Sequence, residues 1–121
     1  MPEELYTRKK YQSLLLRTLG DSPKLRIIDF FLDNLLFDFT KKEVINSLGM
    51  SKQTFYKYFE DIERYGIVKV SRRIGKASLY KINLENPIVK MLKECEIQLS
   101  LQIAEQEKAK MEKPVQATTS R

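Results

Sequence analysis

The chain has 121 residues, of which 42% are hydrophobic, with a net charge of +6, a single cysteine (Cys95) and no histidine. A chain of this length can bury one modest core, and its basic character favours anionic partners such as nucleic acid or an acidic membrane surface. The composition excludes His-dependent catalysis, an intrachain disulfide and the common zinc ligand sets, so we expect neither an enzyme nor a bound cofactor or metal.

The N-terminal segment is predicted to be helical over residues 3–19. Leu5, Leu15 and Leu19 can share one broad apolar face, and Gly20 ends the segment. Residues 1–10 lack the apolar core of a signal peptide, and no apolar run approaches the roughly 18 residues of a membrane span. We therefore expect a soluble, cytoplasmic and nucleoid-associated protein without membrane contacts.

A second helix is predicted to start at Ser22 and Pro23, because serine is a good N-cap and proline suits the first helical turn. Residues 25–37 are apolar on nearly all sides, which indicates the central, buried helix. Capping and solvation, rather than a metal site, explain the carboxylates in and after it: Asp29, Asp33 and Asp38.

Two short helices with a tight turn between them follow. Thr40 and Glu43 have the spacing of a capping box, which begins a short helix, and Gly49 ends that helix. Ser51 caps the next helix, over residues 51–65, whose inward stripe is predicted to be Phe55, Phe59 and Ile62.

The sequence period then changes from helical to alternating. Residues 67–74 and 78–82 are typical of two strands joined by a turn at Gly75 and Lys76, which predicts a short β-hairpin. A last helix is predicted from Pro87 to about residue 110. Its apolar side carries Ile88, Leu92, Cys95, Leu99 and Ile103.

This order of elements predicts a mainly α fold with a small β-hairpin, a winged helix-turn-helix with additional terminal helices. Residues 48–83, LGMSKQTFYKYFEDIERYGIVKVSRRIGKASLYKIN, resemble the winged helix-turn-helix transcription regulators of archaea and bacteria, over about residues 22–90 in all. Small archaeal regulators carrying SPKLRIIDFFLDN and NPIVK look most similar. The domains expected are an N-terminal helix (1–21), the DNA-binding domain (22–84), a dimerisation helix (85–112) and a disordered tail (113–121).

The resemblance and the charge pattern together predict double-stranded DNA as the partner. Residues 40–82 carry ten cations and four anions, so the whole net charge lies in this segment. We expect helix 51–65 to read the major groove and a basic wing at 71–78 to hold the backbone or minor groove. The predicted DNA contacts are Thr40, Lys41, Lys42, Ser51, Lys52, Gln53, Thr54, Tyr56, Lys57, Arg72, Arg73, Lys76 and Ser78.

The terminal helices predict assembly, since their apolar faces are too broad for a small core to cover. A homodimer interface is expected at Leu5, Leu15, Leu19, Ile88, Leu92, Cys95, Leu99 and Ile103. The leading hypothesis is a dimeric, sequence-specific repressor. Two alternatives remain open, a DNA-coating architectural or plasmid-partition adaptor protein and a winged-helix protein-interaction module. A small-molecule effector is compatible with the sequence but is not indicated by it.

Overall fold

The computed structural model describes the backbone of residues 13–119 and the side chains of residues 13–111. Five helices and one two-stranded antiparallel sheet make up this part of the chain. They are α1 (Leu14–Leu19), α2 (Pro23–Asp33), α3 (Lys41–Leu48), α4 (Lys52–Arg64), β1 (Val68–Ile74), β2 (Ala77–Ile82) and α5 (Pro87–Thr119). The predicted fold class, mainly α with a β-hairpin, is therefore confirmed.

The first helix is shorter than the sequence predicted. Ser13 has an extended backbone and its hydroxyl accepts from the Leu16 amide, so α1 begins only at Leu14. A continuous helix over 3–19 is therefore wrong at Ser13, while residues 3–12, including Leu5, lie outside the described residues.

Helix α2 begins as predicted, with Ser22 accepting from the Leu25 amide and Pro23 in the first turn, but it ends earlier. The Asn34 side chain donates to the Phe30 carbonyl, and residues 34–36 form a turn. The prediction of helix to residue 37 is wrong because this local hydrogen bond competes with helix continuation. Leu36 and Phe37 are consequently exposed, at 87% and 62%.

The helix-turn-helix follows the predicted local signals. Thr40 and Glu43 form both bonds of the capping box at α3, and Gly49 ends that helix with a left-handed φ of 62°. Such a φ costs glycine almost nothing, which allows the tight turn into α4. Phe55, Phe59 and Ile62 are each at most 2% exposed, so the predicted inward stripe of α4 is confirmed.

The hairpin forms the wing and joins it to the core through Phe39. β1 and β2 pair around a two-residue turn that opens at Gly75, and a bulge at Ser71 shifts the register between Val70 and Arg72. Phe39 and Tyr80 exchange two backbone hydrogen bonds of 2.8 and 2.7 Å. This bridge, which the sequence analysis missed, fixes the wing to the loop before α3.

Aromatic packing holds α2, α4 and the wing together. The Phe55 and Phe59 rings stack at 4.8 Å between centroids, and Phe59 meets the Tyr80 ring edge-on at 5.1 Å. Phe31 of α2 closes the same cluster against Phe59. Burying a phenylalanine side chain stabilises a fold by about 1.5–3 kcal/mol, so these rings are a major source of core stability.

Helix α5 is longer than predicted and only its start enters the core. Asn86 caps it, accepting from the Ile88 and Val89 amides while donating to the Tyr65 carbonyl at the end of α4. The predicted end near residue 110 is wrong, because the helix continues to Thr119. The disordered tail over 113–121 stays a prediction. In the described part of the chain, no helix is long and apolar enough to cross a membrane.

Two residues expected at a dimer interface belong to the core of a single copy. Leu15 of α1 and Leu92 of α5 are 1% and 7% exposed. They belong to one apolar cluster with the helix-turn-helix, so they are covered within the chain and are not free to meet a second one. Leu19, Ile88, Cys95 and Ile103 are exposed and Leu99 is half-buried.

Candidate nucleic-acid interface

Helix α4 presents a polar face opposite its buried phenylalanines. Lys52, Gln53, Tyr56 and Lys57 are all exposed, as the helical period requires when Phe55 is buried. The Lys57 ammonium lies 5.4 Å from the centre of the Tyr58 ring. These side chains place two ammonium groups, a carboxamide that can both donate and accept hydrogen bonds, and a phenol hydroxyl on one surface.

The N-terminus of α4 is organised by two hydroxyl groups. Ser51 accepts from the Thr54 amide at 3.1 Å and donates to the Thr54 hydroxyl at 2.8 Å. The first backbone N–H groups of a helix, here those of Lys52 and Gln53, have no carbonyl acceptor within the helix. Together with the helix dipole they form a positive end suited to a phosphate.

A cleft brings the start of α3, the middle of α4 and the wing together. It has a volume of about 310 Å³. Its walls are Thr40, Lys41, Lys42, Tyr56, Lys76, Ala77, Ser78 and Tyr80. Six of these residues were predicted as DNA contacts from separate motifs, and the fold places them around one opening.

Lys41 lies across the aromatic cluster rather than extending freely into solvent. Its ammonium is 5.2 Å from the ring centre of Tyr56, 5.4 Å from that of Phe59 and 5.6 Å from that of Tyr80. Such cation–π contacts stabilise a lysine over a ring. The charge of Lys41 is therefore held at the cleft, while Lys42 beside it is exposed.

The predicted anion site at the start of α3 is partly occupied by the capping box itself. The Glu43 carboxylate accepts from the Thr40 amide at 2.8 Å, and the Thr40 hydroxyl accepts from the Glu43 amide at 3.1 Å. Two of the donors that a phosphate could use are thus already bonded, and a carboxylate lies beside them. Lys42 and Lys41 are the groups that remain at this end of the cleft.

Arg72 of the wing is paired within the chain. Its Nε and one terminal nitrogen donate to the two oxygens of Asp38 at 2.9 and 3.3 Å. The hydrogen bonds from Arg72 and Ser71 lower the pKa of Asp38, so this carboxylate stays ionised at neutral pH. Asp38 was expected to be solvated, but its side chain is only 15% exposed.

The rest of the wing carries cations that face solvent. Arg73 and Lys76 are exposed, and Arg73 lies directly across the hairpin from half-buried Ser78. Lys69 and Lys81, which sequence reasoning did not select, also lie opposite each other. Like charges facing across a hairpin destabilise it, and an anionic partner would relieve that repulsion.

Comparison with solved structures identifies the fold, whereas neither a protein-family model nor a curated protein matches the sequence. The homodimeric winged helix-turn-helix DNA-binding domain of Mb0332 from Mycobacterium bovis, a possible ArsR-family transcriptional regulator, has a TM-score of 0.54 at 17% identity, covering 72% of this chain and 76% of that one. Reduced HlyU from Vibrio cholerae has a TM-score of 0.51 at 20% identity, covering 80% and 96%.

A third similar structure contains nucleic acid. A point mutant of MepR from S. aureus, bound to an oligodeoxyribonucleotide, has a TM-score of 0.50 at 13% identity, covering 98% of this chain and 92% of that one. All three proteins are bacterial, and the archaeal resemblance stays a prediction. The chain therefore has the winged helix-turn-helix fold.

Proposed function

We propose that this protein is a sequence-specific regulator of transcription that binds double-stranded DNA. The observation that carries the proposal is the single basic surface formed by the exposed face of α4, the start of α3 and the wing. The cleft between them joins Lys42, Tyr56 and Lys76, residues that are far apart in sequence. Surface lysines distributed at random would not be expected to cluster around the helix that this fold places in a DNA groove.

The exposed side chains of α4 are suited to the major groove. Gln53 can bond the N6 and N7 edge of adenine, and Lys52 or Lys57 can donate to guanine O6 and N7 or to a phosphate. The wing would then lie along the neighbouring backbone or in the minor groove, with Arg73 and Lys76 as its cations.

The similar structures support this proposal through what they contain. MepR is bound to an oligodeoxyribonucleotide and Mb0332 is a homodimeric DNA-binding domain. In the present chain, helix α5 exposes Ile97 and Leu101 at 50% and 57%, and α1 exposes Leu19 at 64%. Pairing these apolar faces about a two-fold axis would give a homodimer with two recognition helices, suited to a near-palindromic operator and to repression by blocking polymerase.

A salt titration of duplex binding tests the proposal. Fluorescence anisotropy of a labelled duplex should give a log affinity that falls linearly with log salt, by about 0.9 for each phosphate contact. Replacing Gln53, Lys57 and Arg73 together by alanine should abolish binding. The matched control replaces Gln106, Lys108 and Lys110 of exposed α5, removing the same number of charges, and should bind as well as the parent.

Two outcomes would contradict the proposal. One is the absence of salt-dependent duplex binding, and the other is equal weakening by the two triple variants, which would indicate an effect of net charge alone. Light scattering coupled to size-exclusion chromatography measures the oligomeric state. Footprinting on a bound fragment selected from genomic DNA distinguishes binding at one operator from spreading along DNA, which is the behaviour of an architectural protein.

A further inference from the structure

Three carboxylates from two helices meet on the side of the molecule formed by α2 and α5. Asp29 and Asp33 lie four residues apart and so share one face of α2, while Glu96 comes from α5. One oxygen from each of the three carboxylates lies within 4.8 Å of the other two. The fold therefore brings together groups that repel one another.

Asp29 is the buried member of this acidic cluster, in contrast to the solvation expected from the sequence. It is only 7% exposed, and its Oδ1 atom is buried without a hydrogen-bond partner among the described residues. A buried polar atom without a hydrogen-bond partner costs free energy, which a bound ion, a water molecule or a proton can offset.

The electrostatics of the cluster are unfavourable in the free chain. Burial, assisted by the charges of Asp33 and Glu96, raises the pKa of Asp29 to about 6, although the Ser13 side chain opposes the shift. Burial raises the pKa of Asp33 as well. Burial and the charge of Asp33 raise the pKa of Glu96, against a smaller opposing effect of Lys93.

We propose that Asp29, Asp33 and Glu96 form a binding site for one hard divalent cation, Ca²⁺ or Mn²⁺, that links α2 to α5. Carboxylate oxygens are the ligands these ions prefer. Ca²⁺ binds oxygen at about 2.3–2.6 Å, so two ligands on opposite sides of it lie about 4.6–5.2 Å apart. The three oxygens all lie within 4.8 Å of one another, inside the upper limit of that range, so one such ion can contact all three.

The surroundings suit a small hydrated cation. Asp33 is exposed and Glu96 half-buried, so water can reach the site and complete the coordination shell. Among the ion pairs of the described residues, none involves these three carboxylates. A bound dication would replace repulsion between α2 and α5 by attraction and would hold α5 against the helix-turn-helix core. The proposal does not depend on DNA binding.

The test uses the full chain, stripped with EDTA and dialysed. Titration with MnCl₂ should show one bound ion per chain, both by calorimetry and by loss of the electron paramagnetic resonance signal of free Mn²⁺. CaCl₂ should compete with Mn²⁺ for the site. The double variant Asp33→Asn/Glu96→Gln should lose at least tenfold in affinity. Its matched control is Glu105→Gln/Glu107→Gln, which also removes two carboxylates, both exposed on α5, and should bind as the parent does.

Thermal unfolding supplies a second readout, because an ion that binds only the folded chain raises the midpoint in proportion to the logarithm of its concentration. MnCl₂ should raise the midpoint of the parent and of the control pair but not of the site variant. The single variant Glu96→Gln, at a half-buried position, serves if the double variant does not fold. Absence of Mn²⁺ uptake at millimolar concentration, or equal affinity in site and control variants, would overturn the proposal.

Discussion

The ion pair between Arg72 and Asp38 leads to a specific prediction about DNA binding. Asp38→Asn keeps the shape of the side chain but removes its charge. Arg72 then loses its bidentate ion pair, in which two guanidinium nitrogens lie 2.9 and 3.3 Å from the Asp38 oxygens. Because Arg72 is 60% exposed on the wing, we expect it to turn to a DNA phosphate instead. The variant should therefore bind duplex DNA more tightly than the parent does.

The size of the effect follows from counterion release. One additional phosphate contact steepens the slope of log affinity against log salt by about 0.9, which over a fourfold range of salt is a factor of about 3.5. The gain in affinity should accordingly be largest at low salt and shrink as salt is added. Simple strengthening of base contacts would shift the whole line without changing its slope.

Anisotropy titrations over about 50–200 mM salt, a range across which several phosphate contacts change the affinity by a large factor, measure the effect. Asp38→Asn is compared with Arg72→Ala and with the double variant, because removing any negative charge near DNA can raise affinity by itself. If the same gain appears in the Arg72→Ala background, Arg72 is not the new contact. Weaker binding by Asp38→Asn would mean that the ion pair holds Arg72 in its binding position, and would refute the reasoning.

Three further predictions concern single side chains. Gln53→Ala should reduce discrimination at one A·T pair by about 1–3 kcal/mol in competition with singly substituted operators, and unchanged discrimination would remove Gln53 from base reading. Thr40→Ala should lower the free energy of unfolding by about 0.5–2 kcal/mol in urea because the capping box with Glu43 is lost, whereas exposed Lys42→Ala should have little effect. In EDTA, Asp29→Asn should raise stability at pH 8 by up to about 3 kcal/mol, since the folded pKa of about 6 exceeds the ordinary value of 3.8 and the parent loses stability as pH rises through that interval. Near pH 4 the two proteins should differ little, and a constant difference across pH would contradict this cause.

The helix-turn-helix and the wing were predictable because their signals are local. Caps at Thr40 and Ser51, the turn at Gly49 and the Phe55 stripe each act within a few residues of sequence, so the same short-range chemistry operates before and after folding. The exposed face of α4 followed directly, because burial of one side of a helix assigns the other to solvent.

Predictions failed where a distant partner or competing local bond decided the outcome. Asn34 ended α2 early by bonding the Phe30 carbonyl, although the apolar pattern continued to residue 37. Leu15 and Leu92 are periodic apolar residues whose pattern cannot distinguish a core from an interface. Only the packing of α1 and α5 around α2 decided that they lie inside one copy.

What the sequence determined by itself is therefore the set of elements, their order and the basic surface that they carry. The tertiary structure decided which charges remain available: Arg72 meets Asp38 across 34 positions, and Asp29 meets Glu96 from another helix. Such pairings depend on distances between side chains that folding alone establishes, because Coulomb and desolvation energies change steeply over a few ångströms while sequence separation carries no information about them.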